Sequence, residues 1–405
     1  MPENLKLPPA LAREFALTKR DMRRIIKDFH VEMERGLCKK PSSFKMLPAY
    51  VDRPTGDERG SFLALDLGGT NFRVLAVRLE GAGRISGLKV TKFAIPKKVV
   101  TGDGKSLFSF LAVSIKRFLR SDGAWLDRAA DLGFTFSFPM RQRSIDSGDL
   151  VVWTKGFRAK GVVGRDVVGL LKEALAGEGL EDIRVFALAN DTVGTLMARA
   201  YSDPSCDVGV IIGTGTNACY TESSVKMIIN IEWGNFNKLN RTRYDRLLDK
   251  ASENPGCQIL EKMVSGMYLG ELARLVLADL APGSVKTFRK PMSLKSEYML
   301  QAGSSKKEKA LVKAVCGIVA ARAARISASA MAAVVTKIDP ALSASHTIAI
   351  DGSVYEKHPG FAAKVKGALK ELFGRRASRI RLALTKDGSG KGAAIIAAVA
   401  ASGRR

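Results

Sequence analysis

A chain of 405 residues with 46% hydrophobic side chains has length for roughly two domains of about 100–200 residues each. No uninterrupted apolar run approaches the ~20 residues of a membrane span, and Met1-Pro2-Glu3-Asn4-Leu5-Lys6 lacks a signal-peptide core, so a cytoplasmic protein without a membrane anchor is expected. The net charge of +25 is concentrated: residues 284–325 hold ten Lys/Arg against two acids and 361–405 hold eleven against two, together 17 of the 25.

A basic excess of this kind attracts nucleic acid, anionic membranes or anionic substrates. No aromatic-interleaved basic run accompanies it, so solvated basic faces are expected, with no specific nucleic-acid partner. Five scattered cysteines (Cys38, Cys206, Cys219, Cys257, Cys316) without a C-x-x-C pair read as reduced, mostly structural thiols. Three distant histidines suggest no transition-metal site.

In chain order, apolar Phe15, Ile25, Ile26, Phe29 and Met33 recur at helical spacing over 11–36, with Gly36 as the stop, which predicts an N-terminal helix. From Ser61 the runs SFLALDL, FRVLAVRL and KVTKFAIP, separated by Gly-containing turns, predict a meander of strands. A helix follows near 106–120. LGFTFSFP (132–139) and RVFALA (184–189) read as buried strands with a helix over 167–176 between them, a β-α-β crossover. The second half repeats the grammar with strand 207–215, a hairpin partner, helices across 255–280 and 307–337, strand 346–350 and a final Ala-rich helix at 390–402. Both halves open with strand, Gly-Thr turn, strand, a weak internal echo.

The turns carry the first chemistry. Gly68-Gly69-Thr70-Asn71 lies between two apolar strands, where glycines free backbone N–H groups to converge on an anion. Arg73 just beyond can neutralise phosphate charge, and Asp66 just before can hold a Mg²⁺-bound water. Similar turns follow at Gly213-Thr214-Gly215-Thr216-Asn217, Asp351-Gly352-Ser353 and Asp387-Gly388-Ser389-Gly390, the last opening a helix whose N-terminus favours an anion. GDGKS at 102–106 lacks the first glycine of a P-loop, and GTGTNA at 213–218 precedes a strand-like run, so neither Walker A nor Rossmann chemistry is supported.

Asn190-Asp191 follows the buried strand RVFALA directly and leads into a helix, so Asp191 is either that helix's cap or a carboxylate presented at a strand end. Ser137, Thr154-Lys155, Glu232 and Glu261 are polar groups set in apolar surroundings, where burial without a partner is expensive; together they suggest a polyol ligand, with Trp153 and Trp233 as pocket walls.

Nine ordered segments, LDLGGTNFR, LGFTFSFP, WTKGF, NDTVGTL, IGTGTNACY, INIEWGNF, NPGCQILEKMVSGMYLGE, DGSVYEKHPGF and DGSGKGAA, resemble the hexokinase family over roughly residues 60–400. The resemblance implies a two-lobed α/β actin-like ATPase (ribonuclease H-like) fold with a ligand cleft between the lobes. It implies an N-terminal helical segment (1–57) on the large lobe, a small lobe (58–189), a large lobe (190–385) and a C-terminal helix (386–405) returning to the small lobe. It implies ATP and Mg²⁺ as cofactors and phosphorylation of the 6-hydroxyl of glucose or a related hexose, by a monomer or homodimer whose cleft closes on the sugar.

By that resemblance Asp191 is the general base, Lys155 stabilises the transferring phosphate and touches sugar, and Arg73 completes the catalytic set. Ser137, Thr154, Asn190, Asn217, Glu232 and Glu261 match sugar-binding positions; Asp66, Gly68, Gly69, Thr70, Asn71, Arg73, Thr214 and Gly215 match the phosphate side; Ser353, Gly388 and Ser389 match the adenosine side. The stretch between Tyr220 and Asn230 is shorter than the family's usual hairpin, the segment after Trp233 is basic, and Met140 replaces a smaller residue. A sugar sensor of the same fold without turnover is the alternative, and a polyanion-binding relative a third reading.

Overall fold

Short apolar strands that end in Gly-Thr turns organise two sheets in the computed structural model, which describes residues 7–68, 71–121, 131–225, 227–281 and 305–402. Gly69, Thr70 and the side chain of Asn71 lie outside the described residues, as do 284–304 of the first basic segment and Arg404 and Arg405 of the second.

Helices α1 (Pro9–Phe15) and α2 (Lys19–Leu37) replace the single helix expected over 11–36. The break has a local cause. Thr18 and Asp21 form a capping box in which the Thr18 hydroxyl accepts the Asp21 N–H and the Asp21 carboxylate accepts the Thr18 N–H, starting a new helix worth about 0.5–2 kcal/mol in cap energy. A connector with the two-residue strand β1 (Leu47–Pro48) leads to the meander β2 (Arg59–Gly68), β3 (Asn71–Glu80) and β4 (Ile85–Ala94). Helices α3 (Lys97–Val100) and α4 (Gly104–Ser121) follow, with the GDGKS stretch serving as a helix start: Asp103 Oδ1 accepts the Ser106 N–H at 2.7 Å. Strand β5 (Asp131–Phe136), the hairpin β6 (Met140–Ser144) and β7 (Ser147–Leu150), α5 (Val167–Gly177) and β8 (Arg184–Ala189) complete this half.

Helix α6 (Asp191–Ala200) opens the second half, followed by β9 (Cys206–Ile212), β10 (Thr216–Glu222) and β11 (Met227–Asn230). Helices α7 (Arg243–Ala251), α8 (Ile259–Val264), α9 (Gly266–Leu280) and the 33-residue α10 (Lys306–Ile338) form its core. Strand β12 (His346–Asp351), α11 (Ser353–Lys357), α12 (Phe361–Phe373), β13 (Ile380–Leu384) and α13 (Gly388–Ser402) end the described chain.

The two sheets share one topology. The first runs β4-β3-β2-β5-β8, with β2, β3 and β4 antiparallel and β5 and β8 parallel to β2. The second runs β1-β11-β10-β9-β12-β13, with the same antiparallel meander and then β12 and β13 parallel to β9. The faint internal echo in the sequence is therefore a duplicated fold. Strand β13 and the β6–β7 hairpin escape the sequence because arginines interrupt their short runs, RIRLAL and MRQRS.

Helices α6 and α13 pack on each other between the sheets, α6 against β9 and β10, α13 against β2, β5 and β8. Their approach depends on glycine: a Cβ on Gly392 would overlap the carbonyl of Gly194. Helix α2 packs on α10 and α12, where His30 Nε2 lies 2.8 Å from the Ala333 carbonyl. Helix α10 is long and apolar enough to cross a membrane by composition, yet 83% of its apolar window is buried within the fold. The buried Arg322 in it holds Asp245 at 2.6 and 2.7 Å. Cys206, Cys219 and Cys316 are buried and Cys38 and Cys257 exposed; burial pushes the Cys206 and Cys316 thiols up to about 12.

Candidate active site

A cleft of about 480 Å³ lies between the sheets, and it gathers all eight residues expected to bind an acceptor: Ser137, Thr154, Lys155, Asn190, Asp191, Asn217, Glu232 and Glu261. The position of Asp191 follows from helix capping. Asn190 takes the cap role, its Oδ1 accepting from the Thr192 N–H at 3.1 Å and hydroxyl at 2.8 Å, so Asp191 is not the cap and its carboxylate lines the cleft. Lys155 Nζ stands 3.9 Å from Asp191 Oδ2 and donates to the Ser137 carbonyl at 2.7 Å.

Lys155 and Thr154 sit on an irregular loop, and aromatic packing anchors it. Trp153 stacks on Phe157 with ring centroids 5.3 Å apart and meets Phe138 edge-on at 4.8 Å, while its Nε1 donates to the Ala159 carbonyl. Trp153 is thus a wall of the cleft. Trp233 is not: it is fully buried, donates to Thr216 Oγ1 at 3.0 Å and packs towards Phe29 in the core below.

On the large-sheet side, amides and carboxylates form a chain. Asn217 Nδ2 reaches Asn230 Oδ1 at 2.8 Å and Glu232 Oε1 at 3.2 Å, and Asn230 Nδ2 donates to the same Glu232 oxygen at 2.9 Å. Glu261 Oε2 accepts the Thr216 N–H at 3.0 Å. That approach requires Gly215, since a Cβ there would stand 2.6 Å from the same oxygen. Burial pushes both carboxyls above the usual glutamate range, opposed by Lys45 and Asn230 at Glu232 and by Thr216 and Lys155 at Glu261. Buried carboxylates with spare lone pairs are suited to accept hydrogen bonds from hydroxyls. Lys155, Glu232 and Gln258 all hold left-handed backbone, at φ 57°, 58° and 53°, a conformation costing about 1–2 kcal/mol per non-glycine residue and common where a site is over-determined.

Asn230 and Gln258 are the residues the sequence reading missed. Asn230 carries the same signal as Glu232, a polar side chain inside INIE. Gln258 has none, because its exposure to the cleft comes from the turn before α8.

The donor-side residues meet at the other end. Asp66 and Arg73 are cross-strand partners on β2 and β3 and form an ion pair. Ser389 Oγ donates to Asp66 Oδ2 at 2.7 Å, and Arg73 Nη1 donates to Asp387 Oδ1 at 2.6 Å. Arg73 therefore already serves two carboxylates. Asp351 accepts the Gly352 and Gly388 N–H groups at 2.7 and 3.1 Å; burial pushes its carboxyl up, with Arg73 opposing. The turns at Gly213, Gly352 and Gly388 are thereby adjacent, Ser389 ties the last of them to Asp66, and Thr214 and Gly215 line the cleft. Gly68 lies against Ser137, where a Cβ would stand 2.8 Å from the hydroxyl.

Two family models, both described as hexokinase, match residues 9–201 and 207–399. Human hexokinase-1 is 41% identical over 95% of this chain; the chain spans about half of it, 47%. Rice hexokinase-7 is 41% identical with 91% of each chain covered. Among solved structures, the Schistosoma mansoni hexokinase complexed with glucose superposes with a TM-score of 0.86 at 36% identity, covering 96% of this chain and 97% of that one. A ROK family glucokinase from Streptomyces griseus, at 15% identity and TM-score 0.53, shares the fold, covering 84% of this chain and 98% of its own. With its duplicated actin-like architecture and both family models matched across nearly its whole length, this chain belongs to the hexokinase family.

Proposed function

We propose that the chain is an ATP-dependent hexokinase that phosphorylates the 6-hydroxyl of glucose and related hexoses. The observation that carries this is the carboxylate of Asp191 in a cleft lined also by paired amides and the partly buried Glu232 and Glu261. Glu232 and Glu261 accept sugar hydroxyls, Asn217, Asn190, Ser137 and Thr154 fix their register, and Asp191 receives the proton of the attacking hydroxyl. That oxygen then bonds to the γ-phosphorus as the bond to the ADP oxygen breaks. Lys155, within 3.9 Å of Asp191, neutralises the charge of the phosphoryl group in transit.

The donor end fits nucleotide phosphates with a hydrated magnesium. Asp66 Oδ2 is engaged by Arg73 and Ser389, leaving Oδ1 beside Gly68, and one carboxylate oxygen suits an ion that keeps most of its waters. Asp66 is thus the residue here that would hold such an ion, through its water shell. When bound, magnesium would offset phosphate charge. Closure of the lobes on the sugar keeps water from competing as acceptor.

A coupled assay across hexoses and phosphoryl donors tests the proposal. Glucose and Mg-ATP should support turnover; Asp191→Ala should lose turnover yet still bind glucose in a titration. A wild-type chain that binds glucose but transfers nothing would favour a sugar sensor instead.

A further inference from the structure

A second concavity lies outside the cleft, between the end of α2, the connector 39–48 and the β10–β11 hairpin, with about 800 Å³ of space. Its floor is apolar, from Leu37, Phe44, Met46, Met227 and Ile229, and the half-exposed Val225 stands at its edge. Three lysines, Lys39, Lys40 and Lys45, line it, and no acidic residue does among the described residues. None of the three forms an ion pair with an acidic residue among the described residues. A volume in the ~300–1,000 Å³ range with an apolar floor and convergent cations is the make-up of a ligand site.

The connector that walls this groove is held in an unusual conformation, with Lys39, Met46 and Tyr50 all left-handed at φ 55°, 48° and 51°. It also touches the cleft. Lys45 lines both spaces, and the N–H groups of Lys45 and Met46 donate to the Ile231 carbonyl, one residue before Glu232. On the far side of β1, Leu47 and Pro48 share a small cavity with Asn190 and Asn230.

We propose that this groove binds a small soluble amphipathic anion, an apolar body with a phosphate or carboxylate head, and that its occupancy weakens hexose binding in the adjoining cleft. The apolar body lies on the Leu37–Phe44–Ile229 floor and the head pairs with the three lysines. Drawing Lys45 towards that head removes a cation that keeps Glu232 ionised against burial, and Glu232 is the acceptor for a sugar hydroxyl. The coupling half of this rests on the hexose-kinase reading; the binding half does not.

The test is calorimetric titration of the full chain with monomeric octyl phosphate below its micellar concentration, with 1-octanol and phosphatidylserine vesicles as comparisons, and of glucose with and without saturating octyl phosphate. Saturable binding of octyl phosphate, little binding of octanol and a several-fold weaker glucose affinity in its presence are expected. Val225→Glu, a substitution at a half-exposed site, should weaken octyl phosphate about tenfold by like-charge repulsion and lost apolar contact, leave glucose affinity unchanged and abolish the coupling. Lys39→Gln with Lys40→Gln should weaken octyl phosphate about fivefold. No saturable binding, binding undiminished by Val225→Glu, capture by vesicles alone, or binding without any change in glucose affinity overturns the proposal. If glucose itself fails to bind, the hexose reading falls while the octyl phosphate titration still reports on the groove.

Discussion

The two ends of the cleft are built on opposite principles. At the acceptor end, polar groups are paired among themselves loosely enough to leave oxygens for a ligand: one Glu232 oxygen takes two amides, and Glu261 takes a single N–H. At the donor end the one guanidinium is already committed, with Arg73 bridging Asp66 and Asp387 and Ser389 closing the ring. Under the proposed function, a sugar would meet prepared acceptors. At the other end the ion pairs latch β2 and β3 to the start of α13, so under the proposed function phosphates would meet geometry as much as charge.

The sharpest break in this comparison is at Asp191, the proposed general base in the cleft. Asp191→Ala should lower kcat by about 10²–10⁴, the usual worth of a positioned general base, with glucose affinity nearly unchanged by calorimetry. Loss of affinity without loss of kcat would move Asp191 from base to binding group.

Next is the acceptor end alone. Glu261→Gln keeps the shape, and its amide oxygen can still accept the Thr216 N–H, but an NH₂ replaces the oxygen left for a hydroxyl; glucose KM should rise about tenfold to a hundredfold, from roughly 1–3 kcal/mol of lost pairing, while ATP KM stays within about twofold. The same substitution should raise thermal stability at neutral pH, because it removes a buried charge.

Breaking the latch should give the complementary result. Asp387→Asn frees Arg73 from its more exposed partner, 37% accessible, and ATP KM should shift by about threefold with glucose affinity preserved. An equal effect on both substrates would show that the two ends are not separable.

The smallest effect concerns pH. Burial raises the Glu232 and Glu261 carboxyls, so each binds a proton at higher pH than a free glutamate. For a carboxyl whose folded value is raised, the cost to stability is present above that value and is relieved as pH falls towards the ordinary range. Glucose KM should accordingly rise a few-fold as pH falls through the raised window. Asp351 is raised as well, so an acid profile alone does not separate the ends; a flatter glucose profile in Glu261→Gln does.

Much of this was legible in the chain. Short apolar runs closed by Gly-Thr turns foretold the two meanders, and polar residues stranded in apolar runs marked Glu232 and Glu261. Residues such as Asn230 carried that signal unread. Gln258 carried none, because a left-handed turn before α8, and no local pattern, aims it at the cleft. Trp233 was misread as a wall because an aromatic beside a site residue looks the same in sequence whether it faces ligand or core. The capping box at Thr18 was written in the sequence and masked by helical periodicity on either side of it.

Local chemistry determined where strands, caps and turns fall, since hydrogen-bonding side chains and glycines act over a few residues. Only the tertiary structure decided that Arg73 is spent on the carboxylate of Asp387 as well as that of Asp66, and that Glu261 accepts the Thr216 N–H. Each of those depends on which oxygen a distant element brings within about 3 Å, a distance that no spacing along the chain encodes.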